Sequence, residues 1–322
     1  MKRRRALLLI MLLGTFMLGG CGKAEETKTL SLAYQYGLAY APAVIAEHEG
    51  YIEEAYRKAT GNEVTVTWNQ MSSGADINTG IAAGELDGGF MGVAPAITGV
   101  TKGVGYRIFS NLSGQRHGMM TNDAGVNSLK DLAGTDKQIA LVNIGSIQHI
   151  ILGKALVENG LDAHALDANI VAMKHPDGMS SLESGIVSCH LTSSPYIFKE
   201  EENGELHELT EVSAAWTVDD SFIVGVASEK LHDTDPELYK ALCEGIQRGI
   251  DLINSDPAKA AAITAEPDGN TVEEEIALYG KGSYHSYTSN LYELAVFMGE
   301  NGFVDNAPAS YRDIVFDNVE GN

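Results

Sequence analysis

Hydrophobic and polar positions alternate between two periods along most of this chain. Residues 29–34 form a short β-type run, and residues 63–68 set Val64, Val66 and Trp68 against Glu63, Thr65 and Thr67, as in a strand with one covered face. Around them the period lengthens, and residues 42–49, 52–60 and 75–83 read as helices. A strand at 88–93, a helix at 95–101 and a strand at 106–111 continue the alternation. This order predicts a mostly parallel sheet with helices on both faces.

The pattern restarts near Gly118. A short helix at 128–133 closes at Gly134, a strand follows at 138–142, and a helix at 146–159 places Ile147, Ile150, Ile151, Ala155 and Leu156 on one broad apolar face. Strands are expected at 169–173, 186–190 and 222–227, with a short helix at 179–184. Beyond Lys230 the chain is mostly helical, opening at Asp235-Pro236 and pairing Thr271 with Glu274 as a capping box. No linker separates the two units. The expected division is one lobe from 29–116 and 222–322 and a second from 117–221, joined by two crossings, with a cleft between the carboxyl ends of the sheets. Periodicity alone also allows two tandem Rossmann-like domains.

Composition narrows the partners. Among 322 residues, 22 Lys and Arg face 44 Asp and Glu, a formal charge of -22, and the body of the chain has no basic tract to meet a phosphate backbone. Nucleic acid is therefore not an expected partner. Cys21, Cys189 and Cys243 cannot build a disulfide framework and show no zinc spacing; Cys189 and Cys243 are expected to be buried, and no metal or cofactor is called for. Lys2, Arg3, Arg4 and Arg5 precede an apolar run, from Ala6 to Leu18, that is too short to span a membrane and reads as a secretory signal. Leu18-Gly19-Gly20-Cys21 resembles a bacterial lipobox. That resemblance implies removal of residues 1–20, acylation of Cys21, a tether over 21–28 and a place on the outer face of the cell membrane.

Four further segments carry a family resemblance. Tyr34-Gln35-Tyr36-Gly37, the Gly-rich run from Ala83 to Ala96, Ser128-Leu129-Lys130-Asp131-Leu132-Ala133-Gly134 and Asn143-Ile144-Gly145-Ser146 are similar to the nitrate/sulfonate/taurine-type substrate-binding proteins of ABC importers. That family also includes binders of the thiamine pyrimidine precursor. The resemblance implies an α/β, periplasmic-binding-protein-like fold of two Rossmann-like lobes on a two-stranded hinge. It also implies no catalysis, a small solute between the lobes, and delivery to a permease and its ATPase. A small organic anion such as an alkanesulfonate, taurine or nitrate is the first ligand class. A thiamine-precursor pyrimidine or other aromatic amine is the alternative, and a membrane-anchored α/β enzyme is a rival from another class. Against the enzyme, the chain has no G-x-S-x-G elbow and no GxxxxGK[ST] loop, and Gly103-Val104-Gly105 follows a helix.

Candidate ligand residues fall at strand-to-helix positions. Ser73, Ala94 and Ser146 stand where free N–H groups would floor the cleft, and each also serves as an ordinary helix start. Gln35, Tyr36, Tyr40, Trp68, His149, Ser193 and Tyr196 occupy the same loops and offer aromatic walls and hydrogen-bonding groups; Trp68 is equally placed to be sheet core. Arg116 lies where the chain would leave the first sheet. Its guanidinium would either fork onto a sulfonate or carboxylate or form a salt bridge that steadies the hinge. His48, His175 and His190 are far apart in sequence, and their spacing implies no metal site.

Overall fold

The computed structural model describes residues 28–322, so the expected signal segment and Cys21 lie outside the described residues. The chain enters β1 (Lys28–Tyr34), passes a 3-10 turn at Leu38–Tyr40, and forms α1 (Ala41–Glu49) and α2 (Tyr51–Thr60). Then come β2 (Val64–Gln70), α3 (Gly74–Ala82), β3 (Gly88–Gly92), α4 (Val93–Thr101) and β4 (Tyr106–Ser113). After the first crossing the order is β5 (His117–Thr121), β6 (Ile139–Leu141), α5 (Ile147–Glu158), β7 (Ile170–Ala172), α6 (His175–Glu183) and β8 (Cys189–Ser193). α7 (Tyr196–Glu201), β9 (His207–Glu208) and α8 (Thr210–Ala214) lead to the second crossing. β10 (Ile223–Ser228) is followed by α9 (Glu229–Thr234), α10 (Pro236–Ser255), α11 (Pro257–Asp268), α12 (Val272–Tyr279) and α13 (Leu291–Glu300). Among the described residues no helix is long and apolar enough to cross a membrane.

The strands make two five-stranded sheets, β2-β1-β3-β10-β4 and β7-β6-β8-β5-β9. In each sheet four strands run one way and the fifth against them, so the sheets are mixed but mostly parallel in direction, as the element order predicts. β10 runs antiparallel to β3 and β4, and β5 runs antiparallel to β8 and β9, because each of these strands arrives from the other sheet. The two crossings lie side by side. Phe222 N–H donates to Ser113 O at 2.9 Å, and Gly114 must lack a side chain because a Cβ there would sit 2.1 Å from Val218 O.

Two boundaries differ from the sequence pattern for local reasons. β8 begins at Cys189 instead of residue 186, since Gly185 turns the chain at φ 73° and pairing starts where Ser188 and Cys189 N–H both donate to Gln138 O. α6 starts early, at His175, with Pro176 in its first turn supplying a preset φ. Across the first sheet, Trp68, Phe90, Phe109 and Tyr239 form an aromatic row with successive centroids 6.0, 6.0 and 6.4 Å apart. α10 supplies Tyr239 to the end of this row and packs mainly on α1 and α2, burying Leu238, Leu242, Ile246, Ile250 and Ile253 along one stripe.

Candidate functional site

Parallel strands end on a common edge, which decides where the loops gather. β1, β2 and β3 are parallel, so Gln35, Ser73 and Ala94 follow one edge of the first sheet; β7, β6 and β8 are parallel, so His175, Ser146 and Ser193 lie along one edge of the second. β4 passes from its carboxyl end into the amino end of β5, and the two edges therefore face each other across the crossings. α4 and α5 start within this gap: a Cβ on Gly92 would touch Ile147 Cγ2 at 3.6 Å.

The electrostatics of these two helix starts are distinctive. Neither α4 nor α5 has an acidic residue in its first turn, whereas α3 has Asp76 and α6 has Asp177. Leading N–H groups such as those of Ile147 and Gln148 have no acceptor within their helix. Two positive dipole ends thus converge from opposite sheets without a local carboxylate to offset them.

Several expected contacts lie elsewhere. Trp68 is stacked on fully buried Phe90 and edged by Tyr34, so its ring belongs to the sheet core. Ser73 caps α3, accepting from Asp76 N–H at 3.2 Å and donating to Asp76 Oδ2 at 2.8 Å, so its hydroxyl is spent on a carboxylate. His149 is buried with both ring nitrogens engaged: Gly145 N–H donates to its Nδ1 at 3.1 Å, its Nε2 meets Asp167 Oδ1 at 2.9 Å, and the ring packs edge-on with Phe303. Ser146 accepts from His149 N–H as the α5 cap and is buried. Ala94 and Tyr40 are buried, Gln35 is half-buried, and Tyr36 is 63% exposed. Buried Ser193 pairs with His117 across β8 and β5, and half-buried Tyr196 lies along His175 with centroids 5.6 Å apart.

Arg116 adopts the salt-bridge role. Its Nη2 lies 3.0 Å from both Glu208 oxygens, its Nη1 meets Glu201, and Phe198 lies beside the guanidinium. An incoming anion would have to displace these carboxylates. We expect Arg116→Ala to cost about 1–2 kcal/mol of stability, since the pair is partly exposed, and to leave solute affinity within about twofold in isothermal titration. A cavity of about 630 Å³ beside the crossings is lined by Arg116, Phe198, Trp216 and Lys281 among others, and none of the other expected ligand residues lines it.

The structure adds polar groups that sequence spacing does not single out. On the first crossing, His117 Nδ1–H donates to Gln115 O at 3.0 Å; burial pushes this imidazole down to about 3, so it is neutral and its Nε2 is an acceptor. Gln115 Nε2 donates to Tyr284 OH at 3.1 Å. His117 Nε2, Gln115 Oε1, Ser194 Oγ and Trp216 Nε1 are all buried without a partner among the described residues. His149, His164 and Asp167 lie close enough to share an ion. The Gly145 N–H aimed at His149 Nδ1 fixes the proton on Nε2, however, and leaves that ring no lone pair for a metal. His164 instead bridges Asp167 Oδ2 at 2.9 Å and Asn301 O at 2.7 Å, tying the second sheet's flank to the end of α13.

Two mixed sheets, a double crossing and opposed carboxyl edges define an α/β fold of the periplasmic-binding-protein type. The model of the NMT1-like family matches residues 23–266, and the chain belongs to that family. Its fold is similar to that of the periplasmic aliphatic sulphonate binding protein SsuA from Escherichia coli, with TM-score 0.69, 16% identity and coverage of 92% of this chain and 94% of that one. SsuA from Xanthomonas axonopodis pv. citri, bound to MOPS, matches with TM-score 0.70 and 17% identity over 93% and 100% of the two chains. The periplasmic nitrate-binding protein NrtA from Synechocystis PCC 6803 matches with TM-score 0.66 and 16% identity over 89% and 84%. No curated protein matches the chain by sequence.

Proposed function

We propose that this chain is the extracytoplasmic solute-binding component of an ABC importer, anchored through lipid on Cys21. In this reading 29–116 with 222–322 and 117–221 are the two moving lobes. A small organic anion of the alkanesulfonate, taurine or nitrate type binds between them. The observation that carries the anion reading is the convergence of the α4 and α5 starts, both without a first-turn acid. The sulphonate- and nitrate-binding proteins that share the fold support it. With Arg116 engaged, the anion would be held by backbone N–H groups and neutral donors, which a gap closed from water makes strong. A second reading, an amine-bearing aromatic, is favoured by the unpartnered acceptors His117 Nε2 and Gln115 Oε1.

Ile144 separates the two readings. It is 60% exposed and lies just ahead of Ser146, so a charge there changes the local field with little effect on folding. Ile144→Lys should tighten anion binding and Ile144→Glu weaken it, each by about two- to fourfold at low salt, with the difference shrinking as salt is raised. Titration of both variants checks this, and a reversed order would favour the amine.

A further inference from the structure

A chain of three buried or half-buried groups runs beneath the edge of the second sheet. Glu200 Oε1 lies 2.5 Å from His190 Nδ1, and His190 Nε2 lies 3.3 Å from His175 Nδ1, which Thr192 Oγ1 also meets at 3.0 Å. The Glu200 and His190 side chains are fully buried. His175 opens α6 at the carboxyl end of β7, on the same edge as Ser146 and Ser193, and its ring lies tilted beside that of Tyr196.

The tautomers along this chain are linked. If Glu200 carries a proton, it donates to His190 Nδ1, His190 Nε2–H donates to His175 Nδ1, and His175 Nε2–H points outward as a donor. If Glu200 is ionised it accepts from His190 Nδ1–H, His190 Nε2 accepts from His175 Nδ1–H, and the outward His175 Nε2 is a lone pair. We propose that the Glu200–His190–His175 chain sets His175 Nε2 as a neutral hydrogen-bond donor to the anionic solute and turns it into an acceptor when Glu200 ionises. This rests on the anion reading above. In the switch the His175 Nε2 proton leaves to solvent, the His190 Nε2 proton passes to His175 Nδ1, and the Glu200 proton passes to His190 Nδ1. One proton is lost and no group is left positively charged.

Burial, with Glu183 nearby, pushes the Glu200 carboxyl up to about 8 and burial pushes His190 down to about 4, which places the proton on Glu200 at neutral pH. Burial, then His190, pushes His175 down to about 3. The charged and titratable groups around the chain are Glu183 on α6, Tyr196, Lys199 and Glu201 on α7, His117 on β5, and Asp268 near Tyr196.

The test is isothermal titration of the protein with ethanesulfonate, taurine and nitrate from pH 6 to 9.5, for wild type and Glu200→Gln. Wild type should bind with constant affinity up to about pH 8 and then lose about tenfold per pH unit, the slope of one released proton. Glu200→Gln keeps an N–H donor toward His190 Nδ1, so it should bind like wild type at pH 7 and lose the fall. Nitrogen NMR of wild-type histidines needs no variant: His175 should carry its proton on Nε2 at pH 7 and on Nδ1 at pH 9.5. A fall that persists in Glu200→Gln, or a His175 protonated on Nδ1 at pH 7, would overturn the switch alone. No binding by any of the three anions would overturn the anion reading together with the proposal that rests on it.

Discussion

Gly114→Val is expected to lower unfolding stability by about 3 kcal/mol or more, the upper range for forcing atoms into a closed contact. The Cβ would lie 2.1 Å from Val218 O and 2.8 Å from Asp220 O, both backbone atoms of the second crossing, so no rotamer relieves the clash. The two crossings would have to part, breaking the Phe222 N–H to Ser113 O bond that ties β10 to β4 at this point. Denaturant unfolding measures the loss. Stability within about 0.5 kcal/mol of wild type would show that the crossings do not pack as described.

Phe90→Ala should cost about 3–5 kcal/mol, because the side chain is fully buried between Trp68 and Phe109 and the sheet cannot collapse into the space. Trp68→Ala, at the half-buried end of the same row, should cost less, about 2 kcal/mol, and leave solute affinity within about twofold. Unfolding curves paired with titration separate these outcomes. Loss of affinity in Trp68→Ala without loss of stability would return that ring to the binding site.

Local signals were legible wherever their cause was local. The Thr271–Glu274 capping box and the opening of α10 at Asp235-Pro236 follow from spacing alone and stand where the pattern puts them. β5 escapes the pattern because all five of its residues are buried, which removes the alternation that marks a half-covered strand. The candidate site was only partly readable. The α5 start is visible as Gly145-Ser146 before an apolar run, but the carboxylates that occupy Arg116 come from 85 and 92 residues away. His175, His190 and Glu200 meet only because β7 and β8 flank β6 and α7 folds back over β8, a juxtaposition set by tertiary pairing.

The most direct measurement is isothermal titration of the protein, with ethanesulfonate, taurine and nitrate in turn, at pH 7 and low salt. The expected result is single-site binding of at least one of these anions, weakened by Ile144→Glu and unaffected by Arg116→Ala. Heats no larger than dilution for all three, with an amine-bearing aromatic binding at the same site, would contradict an anion held between the α4 and α5 starts.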